Sequence, residues 1–160
     1  MFISLSDVLV CLGPDSSRAL FYNILIGNQI IVQANSDEKL LILSLINVLK
    51  QLLPTSMSTV IEFSEKYRES YECNFLGVSE SVKIPSHVDK STYAVVNIVA
   101  LKTTSLFSPR LPLNQFVSLS FAGENLFSPM AEEILTILRL PVDEDFKKFR
   151  LKSTKQAFKT

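Results

Sequence analysis

The sequence predicts an α/β fold, a mostly parallel sheet with helices on both faces. Three observations carry this. Short β-branched runs at 28–33 (NQIIVQ), 58–63 (STVIEF) and 93–101 (YAVVNIVAL) read as strands. A leucine-rich stretch with helical period, 37–53, separates the first two. Helix-stop and helix-start residues sit between these runs, and strands separated by helices favour parallel pairing.

Taken in order, residues 3–12 form a short apolar helix or strand ended by Gly13-Pro14. Asp15 or Ser16 then caps a helix running through Arg18, Phe21 and Leu25, and Gly27 ends it. Residues 28–33 are the first strand. Ser36 caps the next helix, with Asp37 and Glu38 in the first turn, where the helix dipole favours negative charge. On a helical wheel of about 100° per residue, Leu41, Ile42, Leu45, Ile46, Val48, Leu49, Leu52 and Leu53 fill one half. Lys39, Ser44, Asn47, Lys50 and Gln51 fill the other, and Pro54 stops the helix. Leu40 and Leu43 fall on the polar half, either as stray surface leucines or as a second contact.

Residues 58–63 are the second strand. Residues 93–101 are nearly continuous apolar, which predicts a strand buried on both faces. Residues 115–121 (QFVSLSF) alternate, so one face is less covered. Ser128-Pro129 opens a last helix with Glu132 and Glu133 early in it, carried by Ile134, Leu135, Ile137 and Leu138 and stopped by Pro141. The expected organisation is one α/β domain over 1–141 and a basic segment over 142–160.

Composition narrows the function. The 160 residues carry sixteen basic and sixteen acidic side chains, so net charge gives no pull toward nucleic acid. The longest apolar run, 40–53, is too short and too interrupted to span a bilayer, which predicts no transmembrane segment. Cys11 and Cys73 have no metal spacing and read as free thiols of a cytosolic protein. The four glycines, at 13, 27, 77 and 123, form neither a dinucleotide fingerprint nor a P-loop. The single histidine, His87, leaves no basis for a histidine metal cluster or triad, and a Cys73–His87 pair is remote. The reading is therefore no cofactor, no metal and no covalent or acid–base site.

The most unusual stretch is 67–88, YRESYECNFLGVSESVKIPSHV. It reads as an irregular insert between strands, and such long connections tend to be functional or locally structured. Two readings stand: its aromatics plug the core, or it presents a binding surface. Tyr71, Cys73 and Phe75 are expected to be buried, with Arg68, Glu69 and Glu72 in solvent. Tyr67 and Tyr71 are expected on one face of a helical turn. At the other end, 147–160 holds six basic side chains and no acid, with Phe149, Leu151 and Phe158 interleaved. It reads as a solvated terminus, a basic stripe for an anionic surface, or the entry to a further helical subdomain. The interleaved phenylalanines favour the last.

LIGNQIIV at 25–32, the Leu-rich helix ending in Leu52-Leu53-Pro54, the 67–88 stretch and the following strand together resemble the folliculin family. The resemblance is to the first half of its C-terminal DENN-type domain, over roughly residues 3–101. It is strongest at Tyr67, Tyr71, Cys73, Asn74, Phe75, Leu76 and Gly77, and at Ile84, Pro85, His87 and Val88. The resemblance implies the central DENN subdomain, a largely parallel sheet with helices. It implies a DENN partner of the folliculin-interacting-protein kind and a role on Rag or Rab small GTPases in nutrient signalling to the target-of-rapamycin kinase. It also implies a cytoplasmic protein recruited to the lysosome or vacuole surface. The family's activating arginine belongs to its longin domain, outside this sequence, so Arg18, Arg68, Arg110, Arg139 and Arg150 do not inherit that role.

The function expected is a small-GTPase regulator module acting mainly as a protein-interaction surface, with direct Rab nucleotide exchange as the alternative. Exchange needs no acid or base, only a surface that prefers the nucleotide-poor GTPase. An unrelated small α/β enzyme is disfavoured by the missing motifs. The candidate interaction surface is Leu40, Leu43, Tyr67, Arg68, Lys147, Lys148 and Arg150.

Overall fold

The computed structural model describes residues 2, 4–100, 117–123 and 129–139. Helix α1 (Leu5–Leu12) leads into α2 (Pro14–Leu25), strand β1 (Gln29–Ala34) and helix α3 (Lys39–Leu49). Strands β2 (Val60–Ser64), β3 (Phe75–Ser79), β4 (Tyr93–Ala100) and β5 (Val117–Ala122) follow, then helix α4 (Pro129–Leu138). The five strands form one sheet in the order β2-β3-β1-β4-β5. The first four run parallel and β5 pairs antiparallel with β4. The α/β class and the mostly parallel sheet are as expected. The division into a domain over 1–141 and a basic segment over 142–160 is not tested, because 142–160, with Lys147, Lys148 and Arg150, lies outside the described residues.

Local sequence explains the boundaries. Gly13, at φ 84°, ends α1 and begins α2. Pro14, whose ring fixes a helical φ, starts α2 ahead of the cap expected at Asp15 or Ser16. Gly27, at φ 85°, closes α2. Its N–H donates to the Ile24 carbonyl at 3.1 Å and the Asn28 N–H to the Asn23 carbonyl at 3.0 Å, a Schellman closure. Ahead of α3 the capping side chain is Asn35 rather than Ser36, and it accepts from the Asp37 N–H at 3.1 Å. Residues 36–38 form a 3₁₀ turn and α3 begins at Lys39.

Helix α3 buries Ile42, Leu45, Ile46, Val48 and Leu49, as the wheel predicts. Ser44 departs from the wheel and is buried. The start of the chain lies over it, with the Phe2 N–H donating to Ser44 Oγ at 3.2 Å while Ser44 Oγ donates to the Leu41 carbonyl at 2.9 Å. Helices α2 and α4 pack together, joined by an ion pair between Arg18 and Glu132.

All four described helices contribute to one core with one face of the sheet, where Ile30, Val32, Phe75, Ala94, Val96, Ile98 and Leu119 point. The expected helical cover of both faces is, among the described residues, a cover of one. The other face has its own smaller cluster: Ile31, Cys73, Leu76 and Val78 are buried, with Ile61, Tyr67, Val82, Ile84, Tyr93 and Val95 against them. Two loops supply that cover. The β2–β3 connection (65–74) brings Tyr67 and Cys73. The β3–β4 connection (80–92) must pass β1 to reach β4, and it brings Val82 and Ile84.

Strand β4 is accordingly not buried on both faces. Ala94, Val96 and Ile98 are buried, Val95 and Asn97 are half-buried, and Val99 is exposed. Strand β5 follows its alternation, with Val117 and Leu119 inward and Ser118 and Ser120 outward.

The 67–88 stretch is not one irregular insert. Its middle, FLGVS, is β3, buried between β2 and β1. Gly77 makes this possible. A Cβ there would overlap the Glu62 carbonyl oxygen and Ile42 Cγ2. The β2–β3 register shifts between Ile61 and Ser64, so the extra residue of a bulge faces a strand position that has no side chain.

Candidate functional site

The β2–β3 connection is anchored by side chains from the strands. Gln29, at the start of β1, is 1% exposed. Its Nε2 donates to the carbonyls of Arg68 at 2.9 Å and Cys73 at 3.3 Å, and its Oε1 accepts from the Tyr67 hydroxyl at 3.1 Å. Asn74 performs the matching task one strand over. Its Nδ2 donates to the Met57 carbonyl at 2.9 Å and its Oδ1 accepts from the Thr59 N–H at 2.6 Å. A buried backbone carbonyl without a partner is costly, so the Gln29 amide fixes where the loop lies, and the half-buried Asn74 amide ties the 55–57 turn to the start of β3.

Between the anchors the chain turns outward. Residues 69–72 form a turn in which the Glu72 N–H donates to the Glu69 carbonyl at 2.9 Å and the Glu69 N–H to Glu72 Oε2 at 2.9 Å. Tyr71 at its apex is 86% exposed. The expectation held for Cys73 and Phe75, both buried, and failed for Tyr71. Tyr67 and Tyr71 do not share a helical face. Tyr67 turns into the second-face cluster and Tyr71 into solvent, because the segment is a turn rather than a helix. Arg68 and Glu69 are half-buried, and Glu72 is exposed. Arg68 pairs with Glu72 at 3.6 Å and His87 with Glu69 at 3.6 Å.

Tyr71 stands over a groove of about 250 Å³ lined by Gly27, Leu53, Met57, Thr59, Cys73 and Asn74 among others. Met57 in this lining is about half exposed, as is Ile26, which precedes Gly27 in the chain. Two of the exposed large apolar side chains, Met57 and Tyr71, therefore sit on one rim, at the amino-terminal ends of β2 and β3. Small ligands of open α/β sheets bind outside the carboxyl ends of the strands. An apolar rim on the opposite edge has the character of a protein contact. A second groove, of about 420 Å³, is lined by Lys90, Tyr93, Val95, Ala122 and Gly123.

The thiols are not poised for chemistry. Burial raises the Cys73 thiol above its ordinary pKa, against the opposing hydrogen bond from Gln29. Burial, aided by the Asp7 charge, pushes the Cys11 thiol up to about 11. His87, mostly exposed, is turned to Glu69. Among the described residues, no group of three or more His, Cys, Asp or Glu side chains could hold a metal ion. No described helix is long and apolar enough to cross a membrane.

Of the residues singled out from sequence, the four described ones, Leu40, Leu43, Tyr67 and Arg68, lie apart, and Lys147, Lys148 and Arg150 lie outside the described residues. Leu40 is exposed and Leu43 half-buried on α3, which packs on the helical face of the sheet. Tyr67 belongs to the opposite face, with Arg68 next to it. Sequence reasoning missed Ile26 and Met57 and placed Tyr71 inside. Ile26 and Met57 each lie beside a chain reversal, at Gly27 and at the turn after Pro54, which was the available signal.

Comparison with known proteins adds the lineage. The family model for the folliculin C-terminal domain matches residues 1–122. Folliculin from Homo sapiens is 38% identical over 109 residues, covering 68% of this chain and 18% of that protein. Folliculin from Xenopus tropicalis is 39% identical over 111 residues, covering 69% and 19%. Folliculin from Bos taurus is 41% identical over 105 residues, covering 66% and 18%. The chain thus spans about a fifth of the length of the curated relatives it matches.

Proposed function

The chain belongs to the folliculin C-terminal domain family, and on that premise we propose that it is a protein-interaction module of a complex that regulates small GTPases of the Rag or Rab kind. Its partner is a DENN-domain subunit of the folliculin-interacting-protein type. The complex acts from the cytoplasm at the lysosomal or vacuolar surface, in nutrient signalling to the target-of-rapamycin kinase. The observation that carries the interaction role is the rim of Met57 and Tyr71. It is apolar and exposed, on segments tied down by the buried amide of Gln29 and the half-buried amide of Asn74. Exposed aromatic side chains at an apolar rim are among the usual carriers of binding energy.

The second reading, direct nucleotide exchange on a Rab protein, draws on the same rim, since exchange also needs a rigid surface and no acid or base. Two assays divide the readings. Co-purification with a folliculin-interacting-protein-type partner, together with unchanged nucleotide release from Rab and Rag proteins, is the expected result. Accelerated release by the chain alone replaces the scaffold reading with the exchange reading. Failure of both assays overturns the proposal.

A further inference from the structure

We propose that Tyr71 is a phosphorylation site that switches the rim off, an inference that rests on the interaction role just argued. Tyr71 differs from every other tyrosine in the chain. Tyr22 packs against the main core, and Tyr67 and Tyr93 against the second cluster. Tyr71 is 86% exposed. The turn that carries it is closed by bonds within 69–72 and by the surface contacts of Glu72 with Arg68 and of Glu69 with His87, while the anchors to the sheet lie just outside, at the Arg68 and Cys73 carbonyls. Residues 69–72 can therefore extend into an enzyme's cleft while Gln29 keeps its bonds to the flanks. Such local opening requires far less than global unfolding. Glu69 and Glu72 flank Tyr71 in the chain, which suits a kinase with a basic substrate groove.

The reaction is transfer of the γ-phosphoryl group of ATP. A P–O bond forms to Tyr71 Oη, the bond to the ADP leaving group breaks, and the hydroxyl proton is released. The product carries nearly two negative charges at neutral pH. It stands beside Glu69 and Glu72, at the mouth of a groove whose lining includes Leu53 and Met57. The Arg68 guanidinium, 3.6 Å from Glu72, is the neighbouring cation and exchanges Glu72 for the phosphate. An apolar partner that seats on the tyrosine ring then meets a solvated dianion, and docking is lost.

The test treats the full chain with ATP and a broad-specificity protein-tyrosine kinase, then maps the phosphate by mass spectrometry. Incorporation at Tyr71, with none at Tyr67, and loss of most label in Tyr71→Phe is expected. A folded chain that takes up no phosphate at Tyr71 overturns the site. The phosphorylated and untreated chains are then compared for capture of a folliculin-interacting-protein-type subunit. A drop of about tenfold or more, restored by phosphatase, supports the switch, and equal capture overturns it. If the untreated chain captures nothing, the interaction role itself has failed and the switch falls with it, while the mapped phosphate still reports on the site.

Discussion

Gly77 and Asn74 each solve a problem set by their neighbours. At Gly77 the bulged carbonyl of Glu62 and the Ile42 side chain of α3 occupy the space of a Cβ. Gly77→Ala must push either the helix or the bulge, and overpacking of this kind costs about 1–3 kcal/mol. Chemical denaturation should show the midpoint falling by that amount. Asn74→Ala removes two hydrogen bonds, to the Met57 carbonyl and from the Thr59 N–H. A loss of about 1–2 kcal/mol follows, together with faster amide exchange at Thr59. Protonation adds a pH dependence. The folded-state pKa of Cys11 is raised from 9.0 to about 11, and those of Tyr67 and Cys73 are raised as well, all chiefly by burial. A raised acid binds its proton more tightly in the folded chain, so stability is full below about pH 9 and falls as pH rises toward 11. The melting temperature should drop across that window, and Cys11→Ala should flatten the drop.

Helix α3 is the element the helical-face core is built around. Leu45 is fully buried on it. Leu45→Asp places an unpaired charge in that core and should cost more than about 4 kcal/mol, enough to leave the chain unfolded by circular dichroism. A cooperative transition at the parent temperature contradicts the packing described. This helix was legible in the sequence because eight apolar positions repeat at one period, and so were β1, β2 and β4, which are rich in β-branched residues. Strand β3 was not. Five residues containing a glycine and a serine carry no period, and their strand character comes from neighbours on both sides. The same limit applied to Tyr71. An aromatic in a polar run is equally suited to filling a cluster or standing out from a turn. What decides is the pair of buried Gln29 and half-buried Asn74, which bond mainly to backbone carbonyls and amides that no sequence pattern marks. Ser44 shows the reverse, a polar wheel position buried because the chain start folds over it.

At the scale of the whole molecule, the order β2-β3-β1-β4-β5 sends two connections across the face that the described helices leave open. Those connections, 65–74 and 80–92, cover the second cluster, and the first of them raises Tyr71 at the edge of the sheet. The fold therefore separates its tasks. One face is packed by helices for stability, and the other is closed by loops fixed to strand side chains. The apolar rim at the strand starts is the surface on which the interaction role depends. The most direct test is the affinity of a folliculin-interacting-protein-type DENN subunit for the parent chain and for Tyr71→Ala and Met57→Glu, measured beside their melting temperatures. The account predicts binding weakened about tenfold or more in both variants with melting temperatures within a degree or two of the parent. Undiminished binding by both variants, with the same melting temperatures, contradicts it.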